Sequence, residues 1–186
     1  MMERGVRRQV IFQDDFDNMV FMEILRSELI KNECKLHAYC LMSNHFHLLL
    51  ETGGIEIGNF MKGLACKYAM QYNHRYSYKG HVFEGRYKSC LVETDEYFLQ
   101  TSRYIHLNPV KAKMVAHPED YNWSSYRSIL GLCDDKLSEK DKTFGYFGKN
   151  GVFGYREFVE DIGHKYIVQE DEIMRRMGEN ELWLPW

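Results

Sequence analysis

Apolar residues along this chain change period several times, and each change marks an element. Between Asp14 and Asn32 they recur at three and four: Phe16, Val20 and Ile24, with Phe21 and Leu25 beside them. That spacing predicts an amphipathic helix, and Asp14 and Asp15 can cap it. "KLHAYCLM" (residues 35–42) and "HFHLLLET" (45–52) then read as two strands. Ser43-Asn44 between them is a two-residue turn signal, so the pair predicts a β-hairpin. Helical spacing returns with Ile57, Phe60, Met61, Leu64, Ala65, Tyr68, Ala69 and Tyr72, a helix from Glu56 to about Tyr76. "YKGHVFEGRYKSCLV" reads as a loop leading into an extended segment. Thr94 caps the next helix, with Asp95 and Glu96 where the helix dipole favours acids. Pro109 is expected to stop it after about Asn108. "HPEDYNWSSYRSIL" predicts a loop and a short helix. Beyond Gly131 the chain is loop-rich, then helical from about Tyr155, and residues 168–186 read as a terminal helix with an apolar end. Helices and strands interleave without the glycine fingerprint of a βαβ unit. An α+β sandwich is the class this order predicts.

Length and composition narrow the picture. A chain of 186 residues with 45% apolar content suits one compact domain. No apolar run approaches the ~20 residues of a membrane helix, and the N-terminus lacks the features of a secretory signal. The five cysteines are scattered and form no CxxC pair. They suggest neither a zinc knuckle nor a disulfide framework, and point to a reducing cytoplasm. The net charge of −3 weighs against a nucleic-acid binder when the chain is taken whole. Its distribution changes that reading. Residues 60–113 hold nine Lys/Arg against four acids, a net +5, whereas residues 131–186 hold eight against twelve, a net −4. A basic middle and an acidic tail are compatible with a local phosphate-binding face.

Two constellations carry candidate chemistry. Side chains alternate along a strand, so His45, His47 and Leu49 share one face and Phe46, Leu48 and Leu50 the other. Imidazoles two residues apart are close enough to grip one metal ion; by spacing alone, two half-exposed histidines are the competing reading. Tyr104 and Asn108 lie one helical turn apart in "TSRYIHLNPVKAKMV", on a face with Tyr97 and Thr101, while His106 points elsewhere. A core tyrosine and an ordinary helix-end asparagine would give the same pattern.

The stretches "HAYCLMSNHFHLLLET", "HVFEGRYKSCLVETDEYFLQTSRYIHLNPVKAKMV" and "PEDYNWSSYRSILG" resemble the single-tyrosine HUH transposases, most of all the REP-associated tyrosine transposases. His45-Phe46-His47 matches the histidine–hydrophobic–histidine motif. The resemblance runs from about Arg4 to Leu130. It implies a catalytic domain over residues 1–130 of ferredoxin-like, RRM-like type, with a mainly antiparallel sheet and helices on one face, and a C-terminal helical extension over 131–186. Relatives carry an extended segment before the equivalent of "ERGVRRQVIF". The first strand is therefore expected to be shortened or missing, leaving a sheet edge exposed that could pair with another subunit as a homodimer.

The resemblance also implies roles. Tyr104 falls at the nucleophile; His45, His47 and Asn108 fall at the ligands of a Mg²⁺ or Mn²⁺ ion. The implied reaction nicks and rejoins single-stranded or hairpin DNA through a 5′-phosphotyrosine, and no membrane partner is implied. Arg86, Lys88, Lys111 and Lys113 are candidates for DNA binding, with surface solubility as the competing reading. Tyr68, Tyr72, Tyr76, Tyr78 and Phe83 offer aromatic surface for bases, though core packing suits Tyr68 and Tyr72 better. Tyr126 is the reserve nucleophile and Trp123 beside it a structural residue. Two rival functions stand beside this one: a nucleic-acid-binding module that has lost its chemistry, and a hydrolase in which His45 and His47 activate water.

Overall fold

The computed structural model describes residues 1–161 together with Ile173 and Arg175. A three-stranded antiparallel sheet lies at its centre, in the order β1 (Met2–Arg4), β3 (His45–Glu51), β2 (Lys35–Met42). Around it lie α1 (Asp15–Lys31), α2 (Ile57–Tyr76) and α3 (Asp95–Lys111), followed by the short α4 (Tyr126–Ile129) and α5 (Asp141–Gly145) and by α6 (Gly151–Glu160). No helix among the described residues is long and apolar enough to cross a membrane. The predicted terminal helix over residues 168–186 lies, apart from Ile173 and Arg175, outside the described residues.

The α+β class and the antiparallel sheet stand as read. The expectation of helices on one face does not. Almost every residue of β2 and β3 is buried, so both faces of the sheet need cover. Leu36, Leu41, Phe46 and Leu48 pack under α1 and α2 with Phe21, Leu25, Phe60, Leu64 and Tyr68. Ala38, Cys40, Met42 and Leu49 meet Tyr97, Phe98, Tyr104 and Ile105 of α3 on the opposite face. Ala38 and Cys40 are small, which lets α3 approach closely there. Ile173 is fully buried in that second cluster.

Three local expectations need correction. Phe16 is exposed at 54%, outside the apolar stripe of α1, where Asp17 and Asn18 turn inward instead. Its ring carries the Arg75 guanidinium 4.6 Å from its centroid, and Arg75 also pairs with Asp14 and Asp17 to tie α1 to α2. Pro109 does not end α3, which continues to Lys111. Its missing N–H falls in the last turn, and the Ala112 and Met114 amides close that end on the carbonyls of Asn108 and Pro109.

The third correction concerns the sheet edge. β1 is only three residues long, yet its outer side is not exposed. Segment 82–88 runs along it, with paired backbone bonds between Met2 and Lys88 and a bond from Glu84 N–H to the Arg4 carbonyl. The outer side of β2 is covered too: Leu41 N–H donates to Trp123, Ser125 N–H to Tyr39, and Glu139 N–H to Leu36. Strand pairing with a second copy finds neither edge open at these positions.

Candidate active site

The hairpin sets the two histidines. Its register pairs Met42 with His45 and Cys40 with His47 on one side, and Arg4 with His45 and Met2 with His47 on the other. Directly paired residues share a face, so the imidazoles stand in a frame made of Met2, Arg4, Cys40 and Met42. Their ring centroids are 5.0 Å apart. Tyr104 comes down from α3 with its ring 5.5 Å from that of His47, edge to face. Lys111, two turns further on, holds its ammonium 4.9 Å from the centroid of the Tyr104 ring.

The group is closed off from solvent: His45, His47, Tyr104 and Asn108 are all under 10% exposed. Burial and the Arg4 charge push the His45 imidazole down to about 3, and burial with the neighbouring His45 drives His47 well below its usual range. Both rings are therefore neutral at physiological pH, the form that binds cations. His47 Nε2 is buried with no hydrogen-bond partner among the described residues. Such a nitrogen costs stability where it stands, unless something else occupies its lone pair. Asn108 donates Nδ2–H to the Tyr104 carbonyl at 2.9 Å, which leaves its oxygen as the acceptor end. Two imidazole nitrogens and an amide oxygen suit a small divalent cation and leave coordination positions over for other ligands.

The other expected residues scatter. Of the four DNA-binding candidates, Lys111 comes to this group. Lys88 pairs through its backbone with Met2 at the outer edge of β1, and Arg86 and Lys113 are exposed. Tyr68 and Tyr72 are buried in the core. Tyr126 is buried with its hydroxyl donating to Glu160, and the Trp123 indole donates to Asp15. His106 faces away from the pair, as the spacing predicts, and bonds Tyr155 and Ser125. A cavity of about 600 Å³ opens beside Leu49 and Phe98, but none of His45, His47, Tyr104 or Asn108 lines it.

Sequence reasoning missed two residues. Arg4 stands beside His45 across the β1–β3 pairing and is ion-paired with Glu84 at 3.2 Å. Only the register reveals it. Asn44, read as a turn residue, directs its side chain at His45: Oδ1 lies 2.6 Å from Nδ1. An asparagine immediately before the first histidine was the signal available.

The sequence profile described as "Transposase IS200 like" matches residues 2–108, more than half of the chain. No curated protein matches significantly. Among solved structures, the chain is similar to a REP-associated tyrosine transposase bound to a REP hairpin, at 15% identity and a TM-score of 0.59, covering 74% of this chain and 82% of that one. At that identity the likeness speaks for the fold. The profile, which spans the histidine pair and reaches Asn108, speaks for the family: this chain belongs to the IS200-like transposases.

Proposed function

We propose that this protein cleaves and rejoins single-stranded or hairpin DNA, with Tyr104 as the nucleophile. The observation that carries the reading is the delivery of Tyr104 by α3 onto a neutral, buried histidine pair of β3. Membership of a transposase family supports a DNA substrate, and the similar structure holds a DNA hairpin.

In the proposed reaction the Tyr104 oxygen attacks phosphorus. The Oη–P bond forms, the P–O3′ bond breaks, and the phenol proton ends on the departing 3′ oxygen. The products are a 5′-phosphotyrosine and a free 3′-OH. Because the phosphodiester energy is kept in the tyrosyl ester, a 3′-OH reseals the strand without a nucleotide cofactor. Nε2 of His45 and His47 and the Asn108 amide oxygen would hold Mg²⁺ or Mn²⁺, which supplies Lewis-acid stabilisation of charge on the phosphate oxygens. Asn108, one turn from Tyr104 on the same helix, would be the ligand that α3 contributes. Lys111 places positive charge beside the reacting phenol, and Arg4 does so beside His45. The closed packing around Tyr104 also excludes water, which would otherwise compete for the ester.

The test uses end-labelled single-stranded DNA carrying a hairpin, incubated with protein and Mn²⁺ or Mg²⁺ and run on a denaturing gel. Label is expected to migrate with the protein, and Tyr104→Phe is expected to abolish the adduct. Nicking without an adduct, or an adduct that survives Tyr104→Phe, would sink the proposal.

A further inference from the structure

The turn that carries the histidine pair is fastened to an unusual loop. Residues 5–9 form a tight turn in which Arg7 and Arg8 both sit in the left-handed region, with φ of 51° and 59°. A side chain at Gly5 would lie 2.4 Å from the Gln9 carbonyl oxygen, so only glycine fits. This loop grips the hairpin tip through its backbone. Gly5 N–H donates to the Asn44 carbonyl at 2.8 Å, and the Ile11 and Phe12 amides both donate to Ser43. It also fixes the Asn44 side chain. Nδ2 donates to the Arg8 carbonyl at 3.3 Å, an acceptor only, which settles which end of the amide is nitrogen.

Oδ1 therefore faces His45 Nδ1, 2.6 Å away. An amide oxygen accepts and cannot donate, so Nδ1 must carry the hydrogen. In a neutral imidazole that leaves the lone pair on Nε2. His45 cannot rotate freely to another arrangement, being 2% exposed.

We infer that Asn44 is a positioning residue that holds His45 in its Nδ1–H tautomer and so presents Nε2 to a divalent cation. The inference rests on the reading of His45 and His47 as ligands. A chain of contacts runs from the strained loop through the Arg8 carbonyl and the Asn44 amide to the His45 ring. Without the amide, His45 can carry its hydrogen on Nε2, where it blocks the nitrogen a cation needs. Partners of this kind behind a ligand histidine are typically worth about 10–100-fold in metal affinity.

The test is Mn²⁺ titration of the full chain without DNA, read from the free-Mn²⁺ electron paramagnetic resonance signal. Thermal unfolding serves as the stability control, and two-bond ¹H–¹⁵N spectra of the histidine rings report the tautomer. Wild type is expected to bind Mn²⁺ and to show His45 with hydrogen on Nδ1. Asn44→Ala is expected to stay folded, to lose about 10–100-fold in affinity, and to lose the single Nδ1–H pattern. Asn44→Asp, which keeps an acceptor oxygen, is expected to recover most of the affinity. A folded Asn44→Ala that binds as tightly as wild type overturns the inference alone. So does a wild-type spectrum with hydrogen on His45 Nε2, a readout that stands even if Asn44→Ala fails to fold. Wild type that binds neither Mn²⁺ nor Mg²⁺ overturns the ligand reading, and this inference with it.

Discussion

A buried histidine lies on each side of α3, His47 of the sheet and His106 of the helix itself, and the two are in opposite states. On the sheet side, His47 is 1% exposed and its Nε2 has no hydrogen-bond partner among the described residues. On the side facing α6, His106 is fully buried and both its nitrogens are bonded, Nδ1 to the Tyr155 hydroxyl and Nε2 to Ser125 Oγ, each at 2.7 Å. Around His106 the bonding continues. Ser102 meets the same Tyr155 hydroxyl, and Arg103 donates to the carbonyls of Phe158, Val159 and Asp161. One side of the helix is therefore built for stability and holds α3 to α6. The other keeps a buried donor atom available at a cost in stability. Burial and residue type alone do not distinguish the two histidines; completeness of hydrogen bonding does.

The same substitution on each face gives the sharpest contrast. His47→Leu is expected to lower Mn²⁺-dependent adduct formation by on the order of a thousandfold, since several kcal/mol of charge stabilisation is lost. Its unfolding free energy in urea should stay within about 1 kcal/mol of wild type, because the Nε2 end of the ring gives up no hydrogen bond to the described residues. His106→Leu should do the reverse. It leaves the Tyr155 hydroxyl and Ser125 short of a partner, at a cost of about 2–4 kcal/mol, while the folded protein binds Mn²⁺ as wild type does. Equal stability losses for the two variants would break the contrast.

Glu3 offers a second uncompensated group at the sheet. It pairs with Phe46 in the register, is buried, and has no partner for Oε2 among the described residues. Burial pushes its carboxyl up to about 7. In the unfolded chain such a carboxyl titrates near 4.3. Below that pH both states are protonated and Glu3 costs nothing. As pH rises towards 7 the unfolded chain ionises while the folded one resists, so stability falls across this window and levels off above it. Glu3→Gln should therefore match wild type at pH 4 and exceed it at pH 8 by on the order of 2 kcal/mol. Urea titrations at the two pH values measure this. A constant difference between them would mean that Glu3 is not the titrating group.

Much of this was legible in the sequence, and the failures have physical causes. The hairpin and the first two helices follow from apolar spacing, the third from its Thr94 cap and the acids behind it, and strand alternation puts His45 and His47 on one face. Tyr104 and Asn108 share a helix face by the same arithmetic. What spacing cannot supply is which strand lies beside which. Arg4 enters the site through a three-residue strand whose register depends on tertiary pairing. Cover on both faces of the sheet was readable in principle from the unbroken apolar run of "AYCLM", but a run of that kind does not say where α3 will pack. Pro109 misled because the rule for proline concerns helix interiors, and one lost bond in a last turn is affordable. The α6 network was invisible. His106 and Tyr155 are 49 residues apart, and nothing local marks them as partners.

The smallest effect tests what an unbonded nitrogen is worth by itself. The Tyr155 hydroxyl bridges Ser102 and His106. Tyr155→Phe removes it with almost no change in shape, and should cost about 1–2 kcal/mol in urea unfolding. It also leaves His106 much like His47, a buried imidazole with one nitrogen lacking its partner. If an unbonded imidazole nitrogen were enough to make a metal site, this variant would gain a second Mn²⁺ equivalent. None is expected, because among the described residues His106 has no second imidazole beside it; its ring contacts there are Tyr126 and Tyr155. Cation binding needs converging donors, and β3 supplies them by placing two histidines at alternate positions of one strand. A second Mn²⁺ equivalent in Tyr155→Phe would show that the contrast between the two faces lies in hydrogen bonding alone. An unchanged stoichiometry would place it in the pairing of His45 with His47.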